Sequence, residues 1–393
     1  MTKVAIVGWA VIAVFLFGVA EVGSYLALNN APHVSSGLYT PPEVSRDEYD
    51  AFIAIRDPEL GWPTEGWLET RADEKGARRS PMNAALGAKS RPCVSLYGDS
   101  FTFSDEARDE DAWGNVLASS LGCRVENYGV GGYGTDQALM RLERHLAAGH
   151  DIGPTVILSM YPDNLNRNVN QWRYLLTGGS KLGFKPAFVE RAEGFAQAPI
   201  FSGDFEAFQM LARDPAAVLE GEAYLPDAPG LIRQVTYGFP FSATLTHRLA
   251  KLVRSYRDYD SASLINFSNY PVYYDSAAGV SDEKKRVAQY IQQRFASRCE
   301  EHALRCLFVL IPDGELLYQR DNLGRHDLEW VIDEAPEEIA AVDASVMYAD
   351  LKDFCEMLTG PSVCRGHFNP KGYARFARFI LGEIDERGLM RRR

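Results

Sequence analysis

Short apolar runs alternating with helix-patterned stretches, from residue 92 onward, constrain this chain more than any other feature. "PCVSLYGDS" (92–100), "CRVENYGVGG" (123–132), "PTVILSMYPDN" (154–164) and "RCLFVLIPDGE" (305–315) each hold a brief apolar core that ends abruptly in Gly, Asp or Asn. Runs of this length suit strands buried on both faces of a parallel sheet. Between and after them, "DAWGNVLASSLG", "TDQALMRLERHLAAG", "DEKKRVAQYIQQRFASRCEEH" and "FNPKGYARFARFILGEIDERGLM" repeat apolar residues near the helical period. Strand–helix alternation predicts an α/β fold, a three-layer α/β/α sandwich with a mostly parallel sheet. Such sheets bind ligands outside the carboxyl ends of their strands. Gly98-Asp99-Ser100, Gly131-Gly132 and Asp163-Asn164 all fall at those ends.

Before residue 92 the pattern differs. After Lys3, seventeen uncharged residues run to Ala20, followed by Glu21. A basic start and an apolar stretch read as a signal peptide or an N-terminal anchor over 1–28. Gly18-Val19-Ala20 offers small residues for cleavage, but the run is longer than most signal cores and approaches a membrane span. An uncleaved anchor with the body outside the cytoplasm is the favoured reading. Residues 29–91, rich in Pro and charge, are expected to form an extended segment. Residues 92–390 then form the main domain, with an insertion at about 170–284 where the alternation lapses and aromatic clusters appear.

Six cysteines fit the same compartment. Cys299 and Cys306 bracket one short stretch and Cys355 and Cys364 another, while Cys93 and Cys123 each open an apolar run. If those runs are neighbouring parallel strands, the last two can face one another. Three locally paired disulfides, Cys93–Cys123, Cys299–Cys306 and Cys355–Cys364, are expected in an oxidising environment. No C-x-x-C motif and no zinc-like histidine pair stands in the sequence, so no metal is expected. The net charge of −12 and the lack of a large basic patch argue against nucleic acid as a partner.

A serine hydroxyl needs a base to take its proton before it can attack. Of the seven histidines, His367 is the best candidate, because it sits in a Gly/Asn/Pro-rich turn just before the final helix. His145 and His150 lie on or beyond a helical face and read as solvated; His33, His247, His302 and His326 have no paired motif. The tetrahedral intermediate of acyl transfer also needs donors at its oxyanion. The Ser100 amide at a helix start and the Gly132 amide in a glycine turn can supply two.

These residues resemble the blocks of the SGNH, or GDSL-like, hydrolases: Gly98-Asp99-Ser100 the first, "NYGVGGYGTDQ" (127–137) the second, and "GHFNPKGYARFA" (366–377) the last. The likeness covers roughly 92–168 and 285–388. It implies a flavodoxin-like sandwich, Ser100 as nucleophile, His367 as general base and then acid, Gly132 as an oxyanion donor, and no cofactor. Two departures stand out. Where the family places an Asn donor, Asp163 aligns and Asn164 follows, so either Asn164 donates or the hole is built differently. Where the family carries an Asp three residues before the His, this chain has Cys364. The imidazole is then oriented by a backbone carbonyl, or another carboxylate substitutes, Asp313 and Asp353 being the thematic candidates, or hydrolysis is lost. Arg167, Asn168 and Arg173, just past the third block, are candidate substrate-binding residues. The resemblance implies an ester, in particular an O-acetyl group on an extracytoplasmic carbohydrate. A glycan O-acyltransferase within a polysaccharide-modification complex and a non-catalytic glycan-binding subunit are the alternatives.

Overall fold

A computed structural model of the protein describes residues 3–30, 41–87, 89–177, 180–219, 221–223, 242 and 281–390. It divides into two units, one of Met1–Glu43, Asp204–Leu219 and Tyr224–Ala278, the other of Val44–Gly203, Glu220–Ala223 and Gly279–Arg393.

The larger unit is built on five parallel strands: β1 (Pro92–Tyr97), β2 (Arg124–Asn127), β3 (Thr155–Met160), β6 (Arg305–Leu310) and β7 (Ala340–Asp343). They lie in the order β2-β1-β3-β6-β7. Counting within the sheet, this is the flavodoxin-like order 2-1-3-4-5, with its switch point between the first and third strands. Register aligns the carboxyl ends: Leu96 faces Asn127, Tyr97 faces Leu158, Met160 faces Leu310, and Leu310 faces Asp343. β7 escapes the sequence reading because "AAVD" is short and mostly alanine, a residue depleted in strands; β6 on one side supplies the context that makes it a strand.

Each strand sends alternate side chains to opposite helical layers. Val94, Leu96, Ile157, Leu307 and Val309 share one core with Trp113 and Leu117 of the helix Trp113–Leu121 and with Phe376, Ile380 and Ile384 of the helix Pro370–Glu386. Fully burying one such side chain contributes about 1.5–3 kcal/mol, so this cluster is a main support of the fold. The helices Thr135–Ala147 and Asp282–Glu301 pack together on the other layer, against β1, β3 and β6. The result is a three-layer α/β/α sandwich.

Several details differ from the sequence reading. The segment before β1 is not extended from residue 44: it holds the helices Arg46–Ile55, Glu65–Arg71 and Pro81–Leu86. Ser45 and Ser80 cap the first and third, each accepting a backbone N–H, a local signal that short polar stretches hide. The insertion begins with the short helix Arg173–Thr177 and continues into a hairpin, β4 (Ala187–Arg191) and β5 (Gly194–Ala198). It is tied to the sandwich by Lys185, whose buried ammonium meets Asp136 at 2.5 Å and the carbonyls of Asn170 and Pro186. Its aromatic cluster, residues 255–275, lies outside the described residues.

His145 is not solvated. It is buried on the inner face of its helix, 2.9 Å from the Tyr97 hydroxyl, whereas His150 is exposed. The first two turns of this helix are buried all round, Asp136, Gln137 and Arg141 included, so polar residues face protein and not solvent there.

All six cysteines pair as Cys93–Cys123, Cys299–Cys306 and Cys355–Cys364. The first joins the starts of β1 and β2, the edge of the sheet away from the glycine-rich turns.

In the smaller unit, Lys3–Asn30 is one helix of 28 residues, about 42 Å long. Trp9, Phe15, Leu16, Phe17 and Val22 are exposed, while Glu21 is buried and accepts from the amide and hydroxyl of Ser242. The side chains at 3–8, 10, 11, 13, 14 and 27–30 lie outside the described residues, and among those described no helix is long and apolar enough to cross a membrane.

Candidate active site

Ser100 leaves β1 through Gly98 and Asp99 and opens a one-turn helix, Ser100–Phe103. Asp99 caps that turn: its buried carboxylate accepts the Phe101 N–H at 2.9 Å and the Asn164 side-chain amide at 3.1 Å, with Arg167 3.5 Å away. Burial pushes this carboxyl up from the usual range, and the Arg167 charge and these hydrogen bonds oppose the shift. Asp99 is thereby a structural anchor for the serine turn. The chain then passes through Ser104 and Glu106, both left-handed at φ 68° and 65°, a conformation few non-glycine residues adopt. Arg78 holds this bend, donating to the carbonyls of Phe103, Ser104 and Ala107.

The glycine turn after β2 lies alongside. Gly132 takes φ +78°, which an L side chain rarely adopts. Trp62 covers it: the indole N–H donates to the Gly131 carbonyl at 3.0 Å, and the Tyr133 hydroxyl donates to the Trp62 carbonyl at 2.6 Å. The amides of Ser100 and Gly132 donate to no protein acceptor among the described residues. Two unspent N–H groups at neighbouring strand ends are what an oxyanion requires.

Asn164 and Asp163 do not offer a third. Asn164 is buried and gives its side-chain amide to Asp99 and to the Tyr133 carbonyl, each at 3.1 Å, while its oxygen accepts the Tyr161 N–H. Asp163 accepts from Arg167 at 2.6 Å. Arg167 is spent on Asp163, Asp99 and the Tyr133 carbonyl. Asn168 is buried, accepting the Asp136 amide on Oδ1. Arg173 opens the helix Arg173–Thr177 and is half-buried. The structure thus places Arg167 and Asn168 in the framework behind the site.

His367 lies on a small hairpin of β8 (Leu358–Gly360) and β9 (Arg365–Phe368), closed by the Cys355–Cys364 disulfide. Asn369 then caps the last helix and donates back to the carbonyls of Glu356 and Leu358, fixing the hairpin to the helix start. The imidazole packs on Phe101, the residue after the candidate nucleophile, with ring centroids 4.9 Å apart. Phe101 is in turn stacked on Tyr161 at the end of β3. The end of β3 and the β8–β9 hairpin therefore converge on the serine turn.

Neither thematic acid reaches the imidazole. Asp313 caps the helix Gly314–Leu323, accepting the Leu316 N–H, and Asp353 makes a two-pronged ion pair with Arg375. The carboxylate that does reach it is Glu106: its Oε1 stands 3.4 Å from His367 Nδ1, a loose contact that leaves Nδ1 without a well-aligned hydrogen bond. Glu106 is missed from sequence because it sits in an acidic run, "SDEARDED", that looks like any solvated loop. The one available signal was its position six residues after Ser100.

A serine at the carboxyl end of the first strand, a glycine turn after the second, and a histidine ahead of the last helix are thus gathered at one place in the fold. No protein-family model matches the chain, and neither does any curated protein. Among solved structures it is similar to one from Desulfitobacterium hafniense DCB-2 described as a lipolytic protein of the G-D-S-L family. That likeness has 11% identity and a TM-score of 0.32, covering 73% of this chain and 96% of that one.

Proposed function

We propose that the protein is a serine esterase of the SGNH type that cleaves O-acetyl esters on an extracytoplasmic carbohydrate. The observation that carries the reading is the packing of His367 against the Ser100 turn beside two unspent amides. Ser100 Oγ attacks the ester carbonyl while His367 takes its proton; the amides of Ser100 and Gly132 hold the oxyanion. His367 returns the proton to the departing alcohol, and water then resolves the acyl-enzyme with His367 again as base. Neither Asp163 nor Asn164 takes part in the hole.

Trp62, half-exposed beside Gly132, supports a substrate with an apolar ring face, as a sugar has. Three disulfides support an oxidising compartment. The exposed apolar side chains of Lys3–Asn30 lie on every side of the helix, which supports a lipid surround and an anchored body.

The test is p-nitrophenyl acetate turnover by the full chain in detergent, beside Ser100→Ala and His367→Ala. Loss of turnover in both variants is expected. Turnover unchanged in the variants overturns the esterase reading, and acetyl transfer to an added oligosaccharide in preference to water reassigns the same acyl-enzyme to a transferase. No turnover, with no labelling of Ser100 by a fluorophosphonate, favours the binding subunit.

A further inference from the structure

We infer that Glu106, on the loop just after the nucleophile, is the positioning residue that orients His367 in place of the acid missing three residues before it. This rests on the Ser–His reading above. Three observations from separate elements support it. The carboxylate stands on the Nδ1 side of the ring, 3.4 Å away, which leaves Nε2 for the serine proton. Its second oxygen is fixed from the histidine's own hairpin, where Thr359 Oγ1 donates to Oε2 at 2.6 Å. Its backbone is held left-handed at φ 65°, with Arg78 clamping the carbonyls on both sides of the bend.

The hairpin is shaped to allow the approach. Gly366 has φ +89°, and a Cβ there would collide with Thr359 Oγ1 and stand 3.5 Å from Glu106 Oε2. Any other residue would push the threonine off the carboxylate. Cys364, at the position of the usual acid, is committed to Cys355 and sits left-handed at φ 50°. The staple shapes the hairpin, and the carboxylate arrives from across the cleft. Its charged form is favoured: the Thr359 hydrogen bond and, after it, the His367 interaction hold Glu106 below the usual carboxylate range. The neighbouring Asp105 is not an equivalent candidate. It feels the His367 charge, which opposes the upward push of burial on its carboxyl, but its Oδ2 points to the glycine turn, 2.8 Å from where a Cβ on Gly131 would stand, and no ion pair joins it to His367 among the described residues.

A carboxylate on Nδ1 holds the tautomer in which Nε2 is the base and stabilises the imidazolium once it forms. The experiment compares the full chain with Glu106→Gln, Glu106→Asp and Thr359→Val, with melting curves to confirm folding. In Glu106→Gln, kcat for p-nitrophenyl acetate is expected to fall roughly tenfold to thousandfold with KM little changed, and Glu106→Asp is expected to recover part of it. The Nδ1–H resonance of His367 in the NMR spectrum gives a readout that does not need turnover. In Glu106→Gln that resonance is expected to move upfield, because a neutral amide oxygen polarises the N–H less than a carboxylate does. An unmoved Nδ1–H resonance overturns the proposal whether or not the protein is an esterase. An active parent with kcat and pH profile preserved in Glu106→Gln overturns it while leaving the Ser–His reading intact.

Discussion

Asn164 gives its side-chain amide to Asp99, 3.1 Å away, and so braces the turn that carries Ser100. Its remaining proton goes to the Tyr133 carbonyl beside the glycine turn. Asn164→Ala is therefore expected to act on folding. It strips a buried carboxylate and a buried carbonyl of a donor, at a cost of about 1–3 kcal/mol each. Urea unfolding should show that loss, and kcat at a temperature where the variant is folded should fall far less than in Ser100→Ala.

The hairpin carrying His367 is closed by a disulfide between residues nine apart in sequence. A loop of that size accounts for about 2–3 kcal/mol on a chain-entropy basis. Replacing Cys355 and Cys364 together by Ser is expected to lower the midpoint of unfolding accordingly. It should also lower kcat at temperatures where the variant is still folded. The companion replacement of Cys299 and Cys306, whose bridge ties a helix end to β6, should change stability without that kinetic loss.

Burial, and after it the Arg141 charge, hold His145 neutral and lower its value from 6.5 to about 2. Above pH 6.5 neither folded nor unfolded chain binds the proton, and this contribution to stability is complete. As pH falls below 6.5 only the unfolded chain takes it up, so stability falls by up to about 1.4 kcal/mol per pH unit towards pH 2. His145→Gln should flatten the dependence of ΔG on pH by about one proton between pH 6 and 4, measured by urea unfolding.

Trp62 meets the glycine turn through its indole N–H and carbonyl, leaving a ring face half-exposed. For a glycan ester, Trp62→Phe is expected to keep the face and lose only the hydrogen bond, raising KM a few-fold, roughly 1 kcal/mol. Trp62→Ala should raise KM more, while p-nitrophenyl acetate, which needs no sugar platform, responds less. Equal effects on both substrates would remove Trp62 from substrate recognition.

The sandwich was legible because each part of it is local: β1, β3 and β6 are runs of apolar residues, and the helices between them keep a 3.6-residue period. Ser100, Gly132 and His367 were legible for the same reason, each being marked by its immediate neighbours. Glu106 was not, because its partner Thr359 lies 253 residues further on and only the closed fold joins them. Asn164 read as a donor to substrate because sequence shows a free amide; its two acceptors come from other strand ends. His145 read as solvated because a helix that buries Asp136, Gln137 and Arg141 has the composition of a surface element.

Arg78 and Trp62 lie ahead of β1, outside the alternating pattern that announces the sandwich, yet one grips the bend after the serine and the other seats the glycine turn. The working machine is consequently not a cassette that begins at its first strand. A chimera that grafts residues 92–390 onto a foreign leader would inherit every block of the candidate site and lose the two struts that set their spacing.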